Sequence, residues 1–167
     1  DIGTHALDLT LWMMDNYKPK YVVGKTYHEL SKTENAANAW GSWDPKEFRV
    51  EDSAFGYVVM ENGASIFLES SWALNSLDVK EAKTSLFGNK GGADMNDGLT
   101  INGEDHSLLY EKKIELETGG VDFYDGAGAS PEVLEAQSWI DAILNDTDPV
   151  VLPEQALVVT EILEAIY

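Results

Sequence analysis

The 167-residue sequence contains no cysteine, few basic residues and no long hydrophobic run. The absence of cysteine excludes disulfide bonds and thiolate metal sites, and it fits a reducing compartment, so we expect a cytoplasmic protein. Because there is no run of about eighteen apolar residues, no membrane span is predicted. The chain is long enough for one domain with its own hydrophobic core.

The charge balance is strongly acidic. The sequence has 11 lysines and arginines against 30 aspartates and glutamates, which gives a formal net charge of −19. Such a surface repels both the phosphate backbone of nucleic acids and anionic membranes, so neither is an expected partner. The acidic residues are spread along the chain, which indicates solubility as their main role.

Hydrophobic periodicity predicts helices at both ends of the chain and strands between them. Residues 2–15 carry apolar side chains near the helical period, and a second helix has a favourable start at Ser130 and Pro131. A last helix is predicted from about Pro153. We therefore predict an α+β fold: an open, mainly antiparallel β-sheet with an N-terminal helix and two C-terminal helices packed on one face.

Two Asn-Gly pairs predict β-hairpins. Asn62-Gly63 separates DSAFGYVVM from ASIFLESSW, and we expect both turn residues to have positive φ. Asn102-Gly103 separates LTI from SLLYEKKIEL and predicts a second hairpin. Another strand is predicted in VKEAKTSLFG, followed by a turn at NKGG. Since that turn does not open a helix, we do not interpret it as a phosphate-binding loop.

The first helix opens with a cluster of titratable residues, DIGTHALD. Asp1, His5 and Asp8 are spaced to share one flank of a helix, and a carboxylate near an imidazole favours its charged form. A histidine in this setting can exchange a proton near neutral pH. The spacing alone also allows a simpler interpretation, with Asp1 as a helix cap and His5 as a packed or surface residue. It is no standard metal pattern, so we predict no metal site.

Several segments resemble the glucose–fructose oxidoreductase / inositol dehydrogenase (Gfo/Idh/MocA) family. The pattern D-x-G-x-H-x-x-D at residues 1–8, followed by Trp12, is similar to the motif that opens the family's C-terminal domain. The segments VEDSA, ENGA, LESSW and PEQAL resemble the family's patterns on its central strands and closing helix, in the same order. The resemblance thus covers nearly the whole chain.

The resemblance implies an NAD- or NADP-dependent oxidoreductase that acts on a secondary alcohol of a sugar, cyclitol or related polyol. His5 would be the proton-transfer residue, and Asp1 would help to bind and orient the substrate. The sequence contains neither G-x-G-x-x-G nor the family's E-K-P motif. The cofactor would therefore be bound mainly by a Rossmann domain that is absent from this chain.

By the same resemblance, we expect residues 1–167 to form a C-terminal substrate-binding and oligomerisation domain. The family's sheet commonly pairs with that of another subunit, so a homo-oligomer through the sheet face is expected. The residues of the central strands alternate without a strictly polar face, which fits a sheet covered on both sides. The alternative is a non-catalytic ligand-binding or assembly domain in which the histidine cluster is vestigial.

Four weaker candidates for substrate binding are Asp8, Trp72, Asn75 and Tyr124. Asp8 could instead orient His5 through its position on the same helix flank. Trp72 and Asn75 follow a strand end, and Tyr124 lies in a glycine-rich connection. For Trp72 we favour a core position over a place in the cleft, because tryptophan is highly buried on average.

A long loop is predicted at residues 33–50, where no clean periodicity occurs. Loops of this length inside a domain are usually functional or contact something. Trp40 and Trp43 in this loop could stack on a sugar. We favour a subunit contact for them, because tryptophan is enriched at interfaces.

Overall fold

The structure is a computed structural model that describes residues 2–36, 41–77, 83–114 and 130–167. In these ranges it confirms the predicted α+β class. The helices are α1 (Ile2–Met14), α2 (Pro131–Asn145) and α3 (Pro153–Ile166). The strands are β1 (Pro19–Tyr27), β2 (Ser53–Met60), β3 (Ser65–Ser71), β4 (Ser85–Phe87), β5 (Gly91–Asp94), β6 (Leu99–Asp105) and β7 (Leu108–Ile114).

The chain divides into two compact units, each with its own antiparallel sheet. The first unit comprises Asp1–Lys83 and Glu154–Tyr167, and its sheet has the strand order β1-β2-β3. The second unit comprises Thr84–Pro153, and its sheet has the order β4-β5-β6-β7. None of the helices in the described ranges is long and apolar enough to cross a membrane.

One face of the three-stranded sheet forms the hydrophobic core of the first unit. Side chains alternate between the two faces of a strand, so every second residue of β2 and β3 points to this face. Helices α1 and α3 pack on it, and burial of their apolar side chains stabilises the unit. The buried core residues are Leu7, Leu11, Val58, Met60, Ile66, Leu68, Val159, Ile162 and Ile166.

Helix α3 reaches the sheet closely because two glycines lie opposite each other on neighbouring strands. Gly24 of β1 pairs with Gly56 of β2, and both lie under Ile166. A Cβ added at Gly24 would lie 2.6 Å from Cγ2 and 2.9 Å from Cα of Ile166. A Cβ added at Gly56 would lie 2.6 Å from Cδ1 of the same residue. The missing side chains therefore create the space that Ile166 fills.

The first predicted hairpin is confirmed, but its turn differs from the expected one. Gly63 has a φ of 89°, whereas Asn62 is not among the described residues with positive φ. The Gly63 amide donates to the Met60 carbonyl (2.9 Å), and Asn62 Oδ1 accepts from the Ala64 amide (3.0 Å). This is the longer hairpin loop in which a left-handed glycine follows a tight turn.

The prediction of a turn at Asn102-Gly103 is wrong. Both residues lie inside β6, and the chain reverses instead at His106 and Ser107, whose φ angles are 51° and 65°. Two successive left-handed residues suit the twist of a two-residue hairpin turn. Gly103 has a packing role, because a Cβ there would lie 2.6–3.0 Å from the ring and hydroxyl of Tyr110.

The other element predictions are confirmed in part. β4 is shorter than the strand predicted in VKEAKTSLFG, and residues 78–82 lie outside the described residues. The predicted turn closes between the Gly88 amide and the Gly91 carbonyl (2.9 Å), but Gly91 then begins β5, a strand that the sequence did not indicate. At the start of α2, Ser130 Oγ accepts from the Val133 amide (3.4 Å), as expected of a helix cap.

The two glycines under Ile166 should differ in their tolerance of a methyl group. At Gly24 the new Cβ meets the main chain of Ile166, so we expect Gly24→Ala to lower the free energy of unfolding by about 1–3 kcal/mol. At Gly56 it meets the end of a side chain that can rotate, so Gly56→Ala should cost less. Urea denaturation measures both, with Glu61→Ala in an exposed turn as the control. Equal costs would contradict this difference in packing.

Candidate functional site

His5 lies in the first turn of α1 with its side chain exposed. The opposite side of the helix is buried against the sheet. Trp12 lies seven residues after His5, nearly two helical turns, and therefore shares its flank. Its side chain is 54% exposed. Helix α1 thus presents an imidazole and an indole on its free side.

The first turn of α1 is placed at one end of the three-stranded sheet. A Cβ added at Gly3 would lie 3.2 Å from Cβ of Ser70, near the C-terminal end of β3. The glycine allows the helix to pass directly over the strand. His5 is therefore held at the sheet end from which β3 continues to Trp72 and Asn75.

Asp8 is half-buried on α1, close to Tyr17. Burial raises the pKa of the Tyr17 hydroxyl, and the negative charges of Asp8 and Asp15 raise it further. In the part of the chain that the structure describes, no hydrogen bond or ion pair joins Asp8 to His5. The predicted orienting role of Asp8 stays a prediction.

The remaining candidates divide between described and undescribed residues. Trp72 is half-buried, and its indole Nε1 donates to the main-chain oxygen of Glu51 at 3.0 Å. Asn75 is exposed. Trp72 belongs to the sheet end where α1 begins, and Asn75 follows it by three residues in the chain. The candidates that lie outside the described residues are Asp1, Tyr124 and Trp40.

Trp43, Phe48 and Trp72 form an aromatic cluster beside this sheet end. The ring centroids of Trp43 and Trp72 are 5.3 Å apart in an edge-to-face arrangement, and those of Phe48 and Trp72 are 5.0 Å apart. The Trp43 indole also donates to the Ser31 carbonyl at 2.6 Å. Trp43 therefore packs within its own chain, and the cluster fastens the long loop to the end of β3.

A buried carboxylate, Asp52, holds the same region together. It is 2% exposed and stands directly before β2. Its Oδ2 accepts from the Ser31 amide and its Oδ1 from the Ser53 hydroxyl, each at 3.0 Å. Its main-chain oxygen accepts from the Ser71 hydroxyl (2.8 Å) and the Trp72 amide (3.2 Å). One residue thus links the loop to the ends of two strands.

The hydrogen bonds of Asp52 set its ionisation. Burial alone raises the pKa of this carboxyl, but the donors at Ser31 and Ser53 outweigh burial and hold the pKa below its usual value. Sequence reasoning gave Asp52 no role beyond its place in VEDSA. An acidic residue immediately before an apolar strand was the signal that could have identified it.

A second acidic residue of this segment pairs with the last helix. Glu51 forms a hydrogen bond with the Tyr167 hydroxyl, which lowers the pKa of Glu51. The same bond, together with burial, raises the pKa of Tyr167 to about 12. The beginning of β2 is therefore tied to the residue that follows α3.

The described residues contain no metal-binding group, and the glycine-rich turn at residues 88–91 is not a phosphate-binding loop. They contain no group of three or more His, Asp or Glu side chains that could hold a metal ion. The glycine-rich turn from Gly88 to Gly91 joins β4 to β5 and so lacks the helix N-terminus that binds a pyrophosphate.

The fold and the site define an α+β domain that presents a histidine on an exposed helix flank at the end of an antiparallel sheet. Residues 1–94 match the family model described as the GFO/IDH/MocA C-terminal domain. The match covers more than half of the chain, and the chain belongs to this family. The resemblance seen in the sequence is thereby confirmed.

Known relatives include sugar oxidoreductases. The D-glucoside 3-dehydrogenase of Escherichia coli (strain K12) is 34% identical over 95 residues, which are 57% of this chain and 27% of that protein. The crystal structure of aldose-aldose oxidoreductase from Caulobacter crescentus, complexed with glycerol, has a TM-score of 0.66 and 17% identity. It is matched over 100% of this chain and 43% of its own.

A further similar structure contains a nicotinamide cofactor. It is an oxidoreductase from Agrobacterium radiobacter in complex with NAD+, L-tartaric acid and magnesium, with a TM-score of 0.61 and 15% identity. It is matched over 98% of this chain and 44% of its own. At these identities the structural matches show the fold. The chain spans less than half the length of each of these proteins.

The ionised form of Asp52 should stabilise the fold. We expect Asp52→Asn to lower the free energy of unfolding by about 2 kcal/mol at pH 7, because hydrogen bonds to a charged group are lost. The folded-state pKa is lowered, so this stabilisation is present above the unfolded-state pKa and is lost as pH falls through the folded-state pKa. The difference between wild type and variant should therefore shrink below about pH 4.

Urea denaturation between pH 3 and pH 7 measures this difference. Glu61→Gln removes a carboxylate from an exposed turn and serves as the control, for which we expect a change within about 0.5 kcal/mol. A wild-type advantage over Asp52→Asn that grows on acidification would contradict the assignment.

Proposed function

We propose that the full-length protein is an NAD- or NADP-dependent oxidoreductase that acts on a secondary alcohol of a sugar, cyclitol or related polyol. The family match carries the proposal. The matched range begins at residue 1 and so includes the first turn of α1, which holds His5 at the sheet end. The glucoside 3-dehydrogenase and aldose-aldose oxidoreductase relatives support a sugar as substrate.

In the proposed reaction, His5 takes the proton of the substrate hydroxyl. Oxidation of an alcohol to a carbonyl requires that proton to leave, and an imidazole is well suited to accept it near neutral pH. The exposed position of His5 on α1 supports this role. Asp1, one helical turn earlier in the sequence, would orient the substrate.

Other parts of the substrate would contact the sheet end at which His5 lies. Trp72 and Asn75 are proposed to contribute to this wall, because β3 leads to them from the point where α1 crosses Ser70. An aromatic ring that can cover an apolar sugar face and an amide that can bind hydroxyls suit such a wall. Tyr124 is retained as a further candidate on the basis of sequence alone.

When bound, the nicotinamide cofactor supplies the hydride acceptor. We propose that the cofactor is held mainly by the part of the full-length protein outside this chain, since the chain spans less than half the length of its relatives. The choice between NAD and NADP would then also lie there. A cytoplasmic location stays a prediction from the sequence.

Replacement of His5 tests the proton-transfer role. In the full-length protein we expect His5→Ala to lower kcat by about 10²- to 10⁴-fold, because general base catalysis contributes a factor of this size. Binding of the cofactor should change by less than about twofold, an inference from the same role. His106→Ala is the matched control, since His106 is exposed on a hairpin of the other sheet.

Steady-state kinetics with a sugar substrate and fluorescence titration with NADH separate the two effects. Turnover by His5→Ala at the wild-type rate would refute the assignment and favour the alternative of a non-catalytic domain. An equal loss in His106→Ala would point to a general effect of histidine removal.

We further propose that the three-stranded sheet pairs with a second copy of the chain. The face opposite the core carries aromatic side chains, among them Phe67, which is 80% exposed. The rings of Tyr57 and Phe67 are 4.9 Å apart, and Tyr21 lies beside Tyr57 at 6.5 Å. An apolar patch of this kind is typical of an interface in a symmetric oligomer. In the single chain the sheet is covered by helices on its other face.

A charge in the middle of this face should prevent association. We expect Phe67→Glu to shift the protein from oligomer to monomer, because a carboxylate cannot be buried there without a partner. Phe87→Glu is the control, since Phe87 is 94% exposed on the other sheet. Analytical ultracentrifugation measures the mass, and an unchanged oligomer in Phe67→Glu would contradict the proposed interface.

A further inference from the structure

The loop between β1 and β2 encloses a pocket that has no part in the chemistry assigned to His5. The described walls of the pocket come from two stretches of the loop, residues 33–36 and 42–46. Trp43 forms part of one wall. All of these residues belong to the first unit and are described by the structure.

The segments that form the pocket walls are held in place by hydrogen bonds within the loop and to the residue before β2. The Trp43 indole donates to the Ser31 carbonyl at 2.6 Å, and the Ser31 amide donates to the buried Asp52 carboxylate. In the same stretch as Trp43, Asp44 Oδ1 accepts from the Lys46 amide at 2.8 Å, which forms a tight turn. At the start of the other stretch, the Thr33 amide donates to the Leu30 carbonyl at 3.1 Å. A pocket with walls fixed in this way needs little reorganisation to bind a ligand.

The lining favours a neutral, polyhydroxylated ligand. Around the Trp43 indole it offers hydroxyl, carboxylate, amide and ammonium groups. They belong to Thr33, Ser42, Glu34, Asp44, Asn35 and Lys46. Two carboxylates against one ammonium disfavour a phosphate or other anion, and a mainly polar lining disfavours an apolar ligand. Hydroxyl groups can both donate to and accept from such side chains, while the indole covers the C–H face of a sugar ring.

The pocket lies at the same end of the three-stranded sheet as His5. Trp43 contacts Trp72 with a centroid distance of 5.3 Å. Trp72 in turn follows β3, whose Ser70 lies under Gly3 in the first turn of α1. The aromatic cluster therefore connects the pocket to the strand end proposed as the substrate wall.

We propose that this pocket binds a second sugar ring, or another neutral polyhydroxylated group, linked to the ring that is oxidised. The protein would then prefer glycosides and oligosaccharides over monosaccharides. This inference rests on the proposed function, since it assigns the pocket to part of the same substrate. The pocket would set substrate specificity, and no residue of the loop would take part in proton transfer.

Filling the pocket tests the inference. In the full-length protein, Ser42→Trp places a bulky side chain at an exposed position of the pocket wall. We expect it to raise KM at least tenfold for the glucose disaccharides maltose and cellobiose with kcat nearly unchanged. Kinetic parameters for methyl glucoside, which has no second ring, should change less than twofold. Lys46→Ala, which removes one donor without filling the space, should give a smaller loss in the same direction.

Lys32→Trp is the matched control, because Lys32 is exposed on the same loop and does not line the pocket. Its kinetics should match the wild type for all three sugars. If Ser42→Trp affects methyl glucoside as strongly as the disaccharides, or affects neither, the pocket is not a sugar subsite. That outcome would leave the oxidoreductase proposal intact.

Calorimetric titration with the same disaccharides separates the two proposals. If the wild type turns over no sugar but binds a disaccharide, and Ser42→Trp abolishes that binding, the pocket inference holds and the proposed reaction fails. If the wild type shows no disaccharide binding by calorimetry and no preference for disaccharides in turnover, the inference is overturned.

Discussion

The close approach of two helices to one sheet face is the constraint on which the first unit depends. Gly3 lets α1 cross β3 at Ser70, and the opposed pair Gly24 and Gly56 lets α3 seat Ile166 on β1 and β2. Each contact exists because a side chain is missing at that position. Since interiors are packed as densely as organic crystals, a methyl group added at Gly24 would press against the main chain of α3.

The position of His5 follows from this packing. The buried side of α1 is fixed to the sheet by Leu7 and Leu11, so the opposite side must face outward with His5 and Trp12. The crossing at Gly3 places the first turn at a sheet end rather than at mid-sheet. A side chain on a helix is positioned more precisely than one on a loop, which suits the proton transfer proposed for His5.

The same sheet end is organised by one buried residue, through both its carboxylate and its main-chain oxygen. Asp52 accepts hydrogen bonds from the loop at Ser31 and from the end of β3 at Ser71 and Trp72. Because the aromatic cluster rests on these segments, the loop, the strand end and the pocket are fixed together. The proposed substrate wall and the proposed second-ring subsite would therefore share one structural support.

Local patterns determined the parts of the structure that depend on near neighbours. Helical periodicity identified α1, a serine-proline start identified α2, and Asn62-Gly63 lay at the first hairpin. The same reasoning failed at Asn102-Gly103, because a glycine can be selected for the ring that packs on it as well as for a turn. His106 and Ser107 make that turn without a glycine, so the Asn-Gly rule could not locate it.

By itself, the sequence determined the α+β class, the family and the placing of His5, Asp8 and Trp12 along one helix, since these depend on spacing and residue type within short segments. Only the tertiary structure decided that Asp52 is a buried hydrogen-bonding centre, that Trp43 packs on Trp72, and which end of the sheet carries His5. Those facts join residues up to about seventy positions apart (Gly3 and Ser70). Their contact is set by how helices and strands pack, a property that no local pattern of side chains records.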